Sequence, residues 1–254
     1  MGKLKSFIER KIAEYAEKHE QTFTGSNGVE ITYFLRMKHT STALAVIFSG
    51  WTPEGYYNYV TTIMSCPVNA LFIKDNKCKN GTFYLGQGME EAVSELIRDV
   101  FHKIQPSEIY FIGSSKGGYA ALTYGLPYPE AHFIIASPQY FIGDYMMDAT
   151  KFHPGLEYIC QTPLNQITPQ QLQTLNTKLQ KAILADNYGP LQKCHLHLSK
   201  NDKTYELHCK TLVEDLRQIR MPLVWNEDEY TYTEHHDLKH YFPKLIKSVL
   251  RGRR

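Results

Sequence analysis

The stretch Ile109-Tyr-Phe-Ile-Gly-Ser-Ser-Lys-Gly-Gly-Tyr-Ala-Ala-Leu-Thr123 sets a Gly-x-Ser-x-Gly signature between an apolar, β-branched run and a helix-favouring one. A serine held on a sharp strand-to-helix turn needs neighbours two before and two after it that are nearly free of side chain. Gly113 and Gly117 meet that demand, and Gly118 lets the following helix approach the sheet closely. Ser115 is therefore a candidate nucleophile, and the competing reading is a glycine-rich structural turn.

A serine is a poor nucleophile at neutral pH, so the reading requires a base to take its proton and an acid to orient that base. In proteins built around such an elbow the chain order is Ser, then Asp or Glu, then His. Cys194-His-Leu-His-Leu198 alternates as a strand and runs into Ser199-Lys-Asn-Asp-Lys203, which places Asp202 just beyond a strand end. Glu206 is the fallback acid. A further strand, Met221 to Trp225, leads into Glu234-His-His-Asp-Leu238 at the start of the last helix, so the base is His235 or His236. The oxyanion donors expected for this arrangement are the N–H of Lys116, after the nucleophile, and that of Trp51, in the Ser49-Gly50-Trp51 turn after the strand Ala43 to Phe48.

On either side of the elbow, strand-like runs also occur at Val29 to Met37, Asn69 to Lys74, Glu108 to Ile112 and His132 to Ala136. Helical periodicity separates them at Glu90 to Ile104, Ser115 to Tyr124, Glu206 to Ile219 and Leu238 to Leu250. Alternation of this kind predicts an α/β protein with a mostly parallel sheet covered on both faces, in a single domain spanning 1–254, and the elbow within it points to the α/β-hydrolase type. Residues 139–190 interrupt the alternation with prolines, aromatics and a glutamine-rich amphipathic helix around Gln170 to Ala185, and are expected to form a cap insertion that chooses the acceptor. Residues 1–19 are expected to be a helix with Leu4, Phe7, Ile8, Ile12 and Tyr15 on one face, packed on the domain, with weak contact to a membrane surface as a second reading.

The chain has 254 residues, 43% of them hydrophobic, and a formal net charge of +2, which is too small a bias to suggest nucleic acid. Its five cysteines are odd in number and scattered without a Cys-x-x-Cys pair, as expected of reduced thiols in a cytoplasmic protein. His195 with His197, and His236 with His240, have spacings that suit metals, but no third ligand accompanies either pair, so no metal is expected. Lysines gather in loops after strand ends, at Lys74, Lys77, Lys79, Lys116, Lys200 and Lys203. In a parallel sheet these loops share the active-site edge, where a positive mouth would attract an anionic substrate; Lys77 and Lys203 are the candidate substrate-binding residues. A solubilising rim is the alternative.

The block Gly113-Ser-Ser-Lys-Gly-Gly-Tyr-Ala-Ala-Leu122, the turn Phe48-Ser-Gly50, and Phe72-Ile-Lys-Asp75 followed by Gly81-Thr-Phe-Tyr-Leu-Gly86 together resemble a bacterial α/β-hydrolase group of surface-polysaccharide gene clusters. Within that group the chain looks most like capsular polysaccharide O-acetyltransferases of the serogroup A type. The similarity runs from about residue 43 to about residue 245 as judged by motif order. The resemblance implies an acetyl-CoA donor, an anionic capsular polysaccharide acceptor, a Ser-Asp-His triad and a place beside membrane-associated capsule machinery, at the inner face of the membrane. It also selects His235 as the base, because the catalytic histidine of that group tends to stand two residues before an acidic or polar residue and an aliphatic one that begin the helix, here Asp237, capping it, and Leu238. The group includes accessory-secretion proteins with the same elbow. A serine esterase or polysaccharide deacetylase, and a non-catalytic assembly or secretion partner, therefore stand as alternatives.

Overall fold

The computed structural model describes residues 2–51, 56–185, 193–225 and 231–252. Eight strands, β1 (Gln21–Thr24), β2 (Glu30–Arg36), β3 (Ala43–Phe48), β4 (Asn69–Ile73), β5 (Glu108–Ser114), β6 (Ala131–Ala136), β7 (Cys194–His197) and β8 (Leu223–Trp225), form one sheet. Its order is β1-β2-β4-β3-β5-β6-β7-β8. β1 and β2 run antiparallel to their neighbours, and the pairs from β4 through β3, β5, β6 and β7 to β8 are parallel. The expected strands are all present; β1, short and largely exposed, was not expected.

The alternation of β3 explains why both sheet faces are covered. Leu44, Val46 and Phe48 join one apolar layer and Ala43, Ala45 and Ile47 the other, and all six are buried. The first layer is closed by α3 (Met89–Ile104), α4 (Lys116–Gly125) and α8 (Lys210–Gln218), the second by α1 (Gly2–Lys18), α2 (Val60–Met64) and α9 (Leu238–Arg251). α3 shows the helical logic plainly: Met89, Ala92, Val93, Leu96, Ile97 and Val100 recur at three- and four-residue steps and are buried.

Between β6 and β7 the chain forms α5 (Ile142–Asp148), α6 (His153–Cys160) and α7 (Pro169–Ile183). α7 begins where the sequence allows a helix to begin, with Thr168 and Gln171 in a reciprocal capping box and Pro169 in the first turn. Residues 186–190 of the expected insertion, and Met1 of the expected terminal helix, lie outside the described residues. All five cysteines are free thiols. No helix among the described residues is long and apolar enough to cross a membrane.

Candidate functional site

Ser115 stands between β5 and α4 with φ 54° and ψ −126°, a strained conformation for a residue with a side chain. The glycines around it are there for space. A Cβ on Gly113 would lie 2.1 Å from the Gly117 carbonyl oxygen, and one on Gly117 would lie 2.3 Å from that of Phe48. The turn is pinned by the Ser115 N–H, which donates to the Ala136 carbonyl at 2.9 Å. Its hydroxyl donates to Gln139 Oε1 at 2.8 Å.

Asp202 lies in the turn after β7, almost wholly buried, and accepts the Thr204 N–H at 3.0 Å. Its other oxygen faces His235 Nδ1 at 2.9 Å. Burial pushes the Asp202 carboxyl up, but hydrogen bonds from His235 and Thr204 outweigh it, so the group sits below its ordinary value. An ionised carboxylate only accepts, so the imidazole proton belongs on Nδ1. Nε2 of His235 is then the basic nitrogen, and it is buried with no hydrogen-bond partner among the described residues.

The His235 loop is tied to the acid loop. Ser199 Oγ donates to the Tyr232 carbonyl at 2.5 Å, and Tyr232 Oη pairs with Ser137 Oγ at 2.7 Å beyond β6. His236 points outward, its Nε2 3.4 Å from Asp237 Oδ1. Asp237 was expected to cap α9, but its side chain makes no capping bond there; a single 3-10 turn, His235–Asp237, precedes the helix and its N–H bonds the Glu234 carbonyl. Glu206, the fallback acid, is exposed and pairs with Lys210 at 3.3 Å.

One open cleft of about 860 Å³ gathers Ser115, Gln139, Asp202, His235 and His236 with Gly50, Trp51, Tyr59, Tyr145, Lys151, Lys203 and Lys239. Tyr59 is held neutral by burial, its pKa pushed up to about 12, and pairs with Ser114 Oγ at 2.5 Å. The expected lysine rim needs correction. Lys116 is buried, with Nζ 2.8 Å from Asp75, and Lys74 pairs with Glu20, so neither charge is offered to a ligand. Lys77 does not line the cleft, whereas Lys203 does. Lys151 and Lys239 line it too and were not singled out by sequence, because one lies in the insertion and the other on α9. Gln139 was also missed, since a glutamine after a strand carries no catalytic signature. The pairs His195/His197 and His236/His240 gain no third ligand, and no group of three or more metal-binding side chains converges among the described residues.

No protein-family model matches the chain. Among curated proteins it is 29% identical over 126 residues to an accessory Sec system protein of Staphylococcus aureus, covering 48% of this chain and 24% of that protein. The counterpart from Streptococcus gordonii is 31% identical over 118 residues, covering 44% and 23%. The chain thus spans about a quarter of the length of the curated relatives it matches. Among solved structures it is similar to the capsule O-acetyltransferase of Neisseria meningitidis serogroup A, with a TM-score of 0.71 at 18% identity over 87% of this chain and 91% of that one. A mutant of that enzyme, solved in complex with CoA, superposes with a TM-score of 0.70 at 17% identity over 92% of this chain and 99% of that one. An S-formylglutathione hydrolase from Agrobacterium tumefaciens superposes with a TM-score of 0.60 at 14% identity, covering 91% and 94%. The chain has the α/β-hydrolase fold. In an α/β-hydrolase the elbow, acid and base loops follow the carboxyl ends of parallel strands, and here Ser115 follows β5, Asp202 follows β7 and His235 comes after β8. The fold hosts many chemistries, so activity has to be argued from the site.

Proposed function

We propose that the chain is a serine acyltransferase that moves an acetyl group from acetyl-CoA to a hydroxyl of an anionic capsular polysaccharide. One observation carries the reading: His235, oriented by buried Asp202, leaves Nε2 without a partner in the cleft that holds the strained Ser115. The lysines at the cleft wall, Lys151, Lys203 and Lys239, support an anionic donor or acceptor. The fold-level likeness to an O-acetyltransferase solved with CoA supports the donor.

In this reading Ser115 turns from Gln139 to His235, which takes its proton as Oγ attacks the thioester carbonyl. The tetrahedral oxyanion is held by the N–H groups of Trp51 and Lys116. The C–S bond breaks, and the leaving thiolate takes the proton from His235. The sugar hydroxyl then gives its proton to His235 while its oxygen attacks the acyl-enzyme, and the Ser115 oxygen leaves and regains a proton. If water replaces the sugar, the same steps give an esterase.

Thioester cleavage measured with and without polysaccharide tests the choice. Stimulation by the acceptor, with acetyl groups appearing on it, is expected. Equal cleavage in both cases favours the esterase, and no labelling of Ser115 by a fluorophosphonate contradicts any serine chemistry.

A further inference from the structure

The segments Phe72-Ile-Lys-Asp75 and Gly81-Thr-Phe-Tyr-Leu-Gly86 contribute nothing to the triad, yet they form a dense buried polar assembly beneath it. The carboxylate of Asp75, which follows β4, accepts the Thr82 N–H at 2.8 Å, the Thr82 hydroxyl at 3.0 Å and the Tyr84 N–H at 3.3 Å. Lys116 Nζ completes it at 2.8 Å and also reaches the Asn80 carbonyl at 3.4 Å. The side chains of this ion pair are 0% and 4% exposed. Gly81 has φ +88°, and a Cβ there would lie 2.2 Å from Lys116 Nζ and 2.4 Å from Asp75 Oδ2, so the close pairing depends on glycine. Asn80, Phe83 and Tyr84 also have positive φ, a conformation that persists only where surroundings over-determine it.

The same turn reaches the other side of the cleft. Tyr84 Oη accepts the Ser49 N–H at 2.7 Å, and Asn80 Oδ1 accepts the Trp51 indole N–H at 2.7 Å. Trp51 and Lys116 are the two residues whose backbone N–H groups are assigned to the oxyanion. Both have their side chains anchored to residues 75–84, although 65 positions separate them in sequence. Replacing a buried ion pair by apolar groups is often neutral or stabilising, so stability alone gives little reason for a lysine there; fixed geometry gives one. Oxyanion donors act through preorganisation, which makes their spacing the property worth holding rigidly.

We propose that Asp75, Lys116 and Tyr84 are positioning residues that set the separation of the two oxyanion donors, and that Lys116 serves the reaction through this strut and not as a substrate-binding cation. The inference rests on the acyl-transfer reading above. Its test uses p-nitrophenyl acetate as substrate and phenylboronic acid as a probe whose serine adduct places an oxygen in the oxyanion hole. Asp75→Asn and Lys116→Met should each lower kcat at least about tenfold with KM within about twofold, and weaken boronate inhibition by a similar factor in the folded fraction. Tyr84→Phe cuts the link to the Ser49 N–H without touching the ion pair and should move kcat and boronate affinity the same way, which keeps the test open if the charge variants do not fold. Wild-type kcat and boronate affinity in folded variants would overturn the strut while leaving the acyl-transfer reading intact. A wild-type protein that neither cleaves the ester nor binds the boronate would overturn that reading itself, and the strut with it.

Discussion

At Ser115 the hydroxyl and the base it needs share a cleft, but the hydroxyl is bonded to Gln139 and His235 Nε2 has no partner. Proton transfer requires the hydroxyl to leave Gln139 for Nε2, so the hydroxyl and the imidazole should act as one unit. Ser115→Ala and His235→Ala should each lower acyl transfer by on the order of 10³-fold or more, with melting temperatures close to wild type. His236→Ala should cost less than about tenfold, because that ring is largely exposed with its Nε2 3.4 Å from Asp237, while Asp202 orients His235. The reverse ranking of the two histidines, read from kcat/KM with an activated ester, would show that the neighbour is the base. Sequence could narrow the base to this pair because the chain order of the triad is fixed by the fold. It could not separate the two by itself, since the single 3-10 turn that aims His235 at Asp202 leaves no mark in composition.

The elements carrying the acid were harder to read. Helical periodicity predicted one helix from Glu206 to Ile219, but the chain first makes a wider π-type turn, Tyr205–Cys209, before α8. Such turns often occur at functional sites. This one buries His208, whose Nδ1 accepts the Phe141 N–H at 3.2 Å, beneath the insertion helices. Burial, and then the nearby His235, lower its pKa from 6.5 to about 4, against a smaller opposing pull from Asp144 and Asp202. Between those values the unfolded chain binds a proton that the fold refuses. Stability from this residue is therefore full above about pH 6.5 and is lost as pH falls toward about 4, at no more than about 1.4 kcal/mol per pH unit. His208→Gln keeps an acceptor for Phe141 and should flatten the denaturation midpoint across that window. An unchanged slope would show that His208 is protonated in the fold. The long strands and α3 were legible because period-two and helical patterns follow directly from burial. β1 was not, because its pattern is mostly exposed and its pairing with β2 gives the chain no apolar signature.

At the largest scale, Lys151 and Lys239 join Lys203 at the cleft wall, beside Asp202 and Glu234, whereas Lys77 and Lys116 do not line it. Proximity of lysines to strand ends was the sequence signal, and it cannot tell Lys203, which reaches the cleft, from Lys116, which folds back into a buried pair. If the cleft wall attracts an anionic donor or acceptor, raising salt to about 0.5 M should raise KM with little change in kcat, because screening weakens attraction without touching the chemistry. Lys151→Glu with Lys203→Glu should mimic the salt effect, and a KM indifferent to both would leave these lysines as solubilising surface. The chain spans about a quarter of the accessory Sec relatives it matches and nearly the whole of the capsule O-acetyltransferase whose fold it shares, so its chemistry has to be tested on this chain itself. The most direct measurement is mass spectrometry of peptides after brief incubation with acetyl-CoA and an acid quench. One added acetyl group is expected on the peptide holding Ser115, lost in Ser115→Ala and discharged on adding the polysaccharide acceptor. Acetyl transfer that proceeds without that adduct, or equally in Ser115→Ala, would contradict the acyl-enzyme reading.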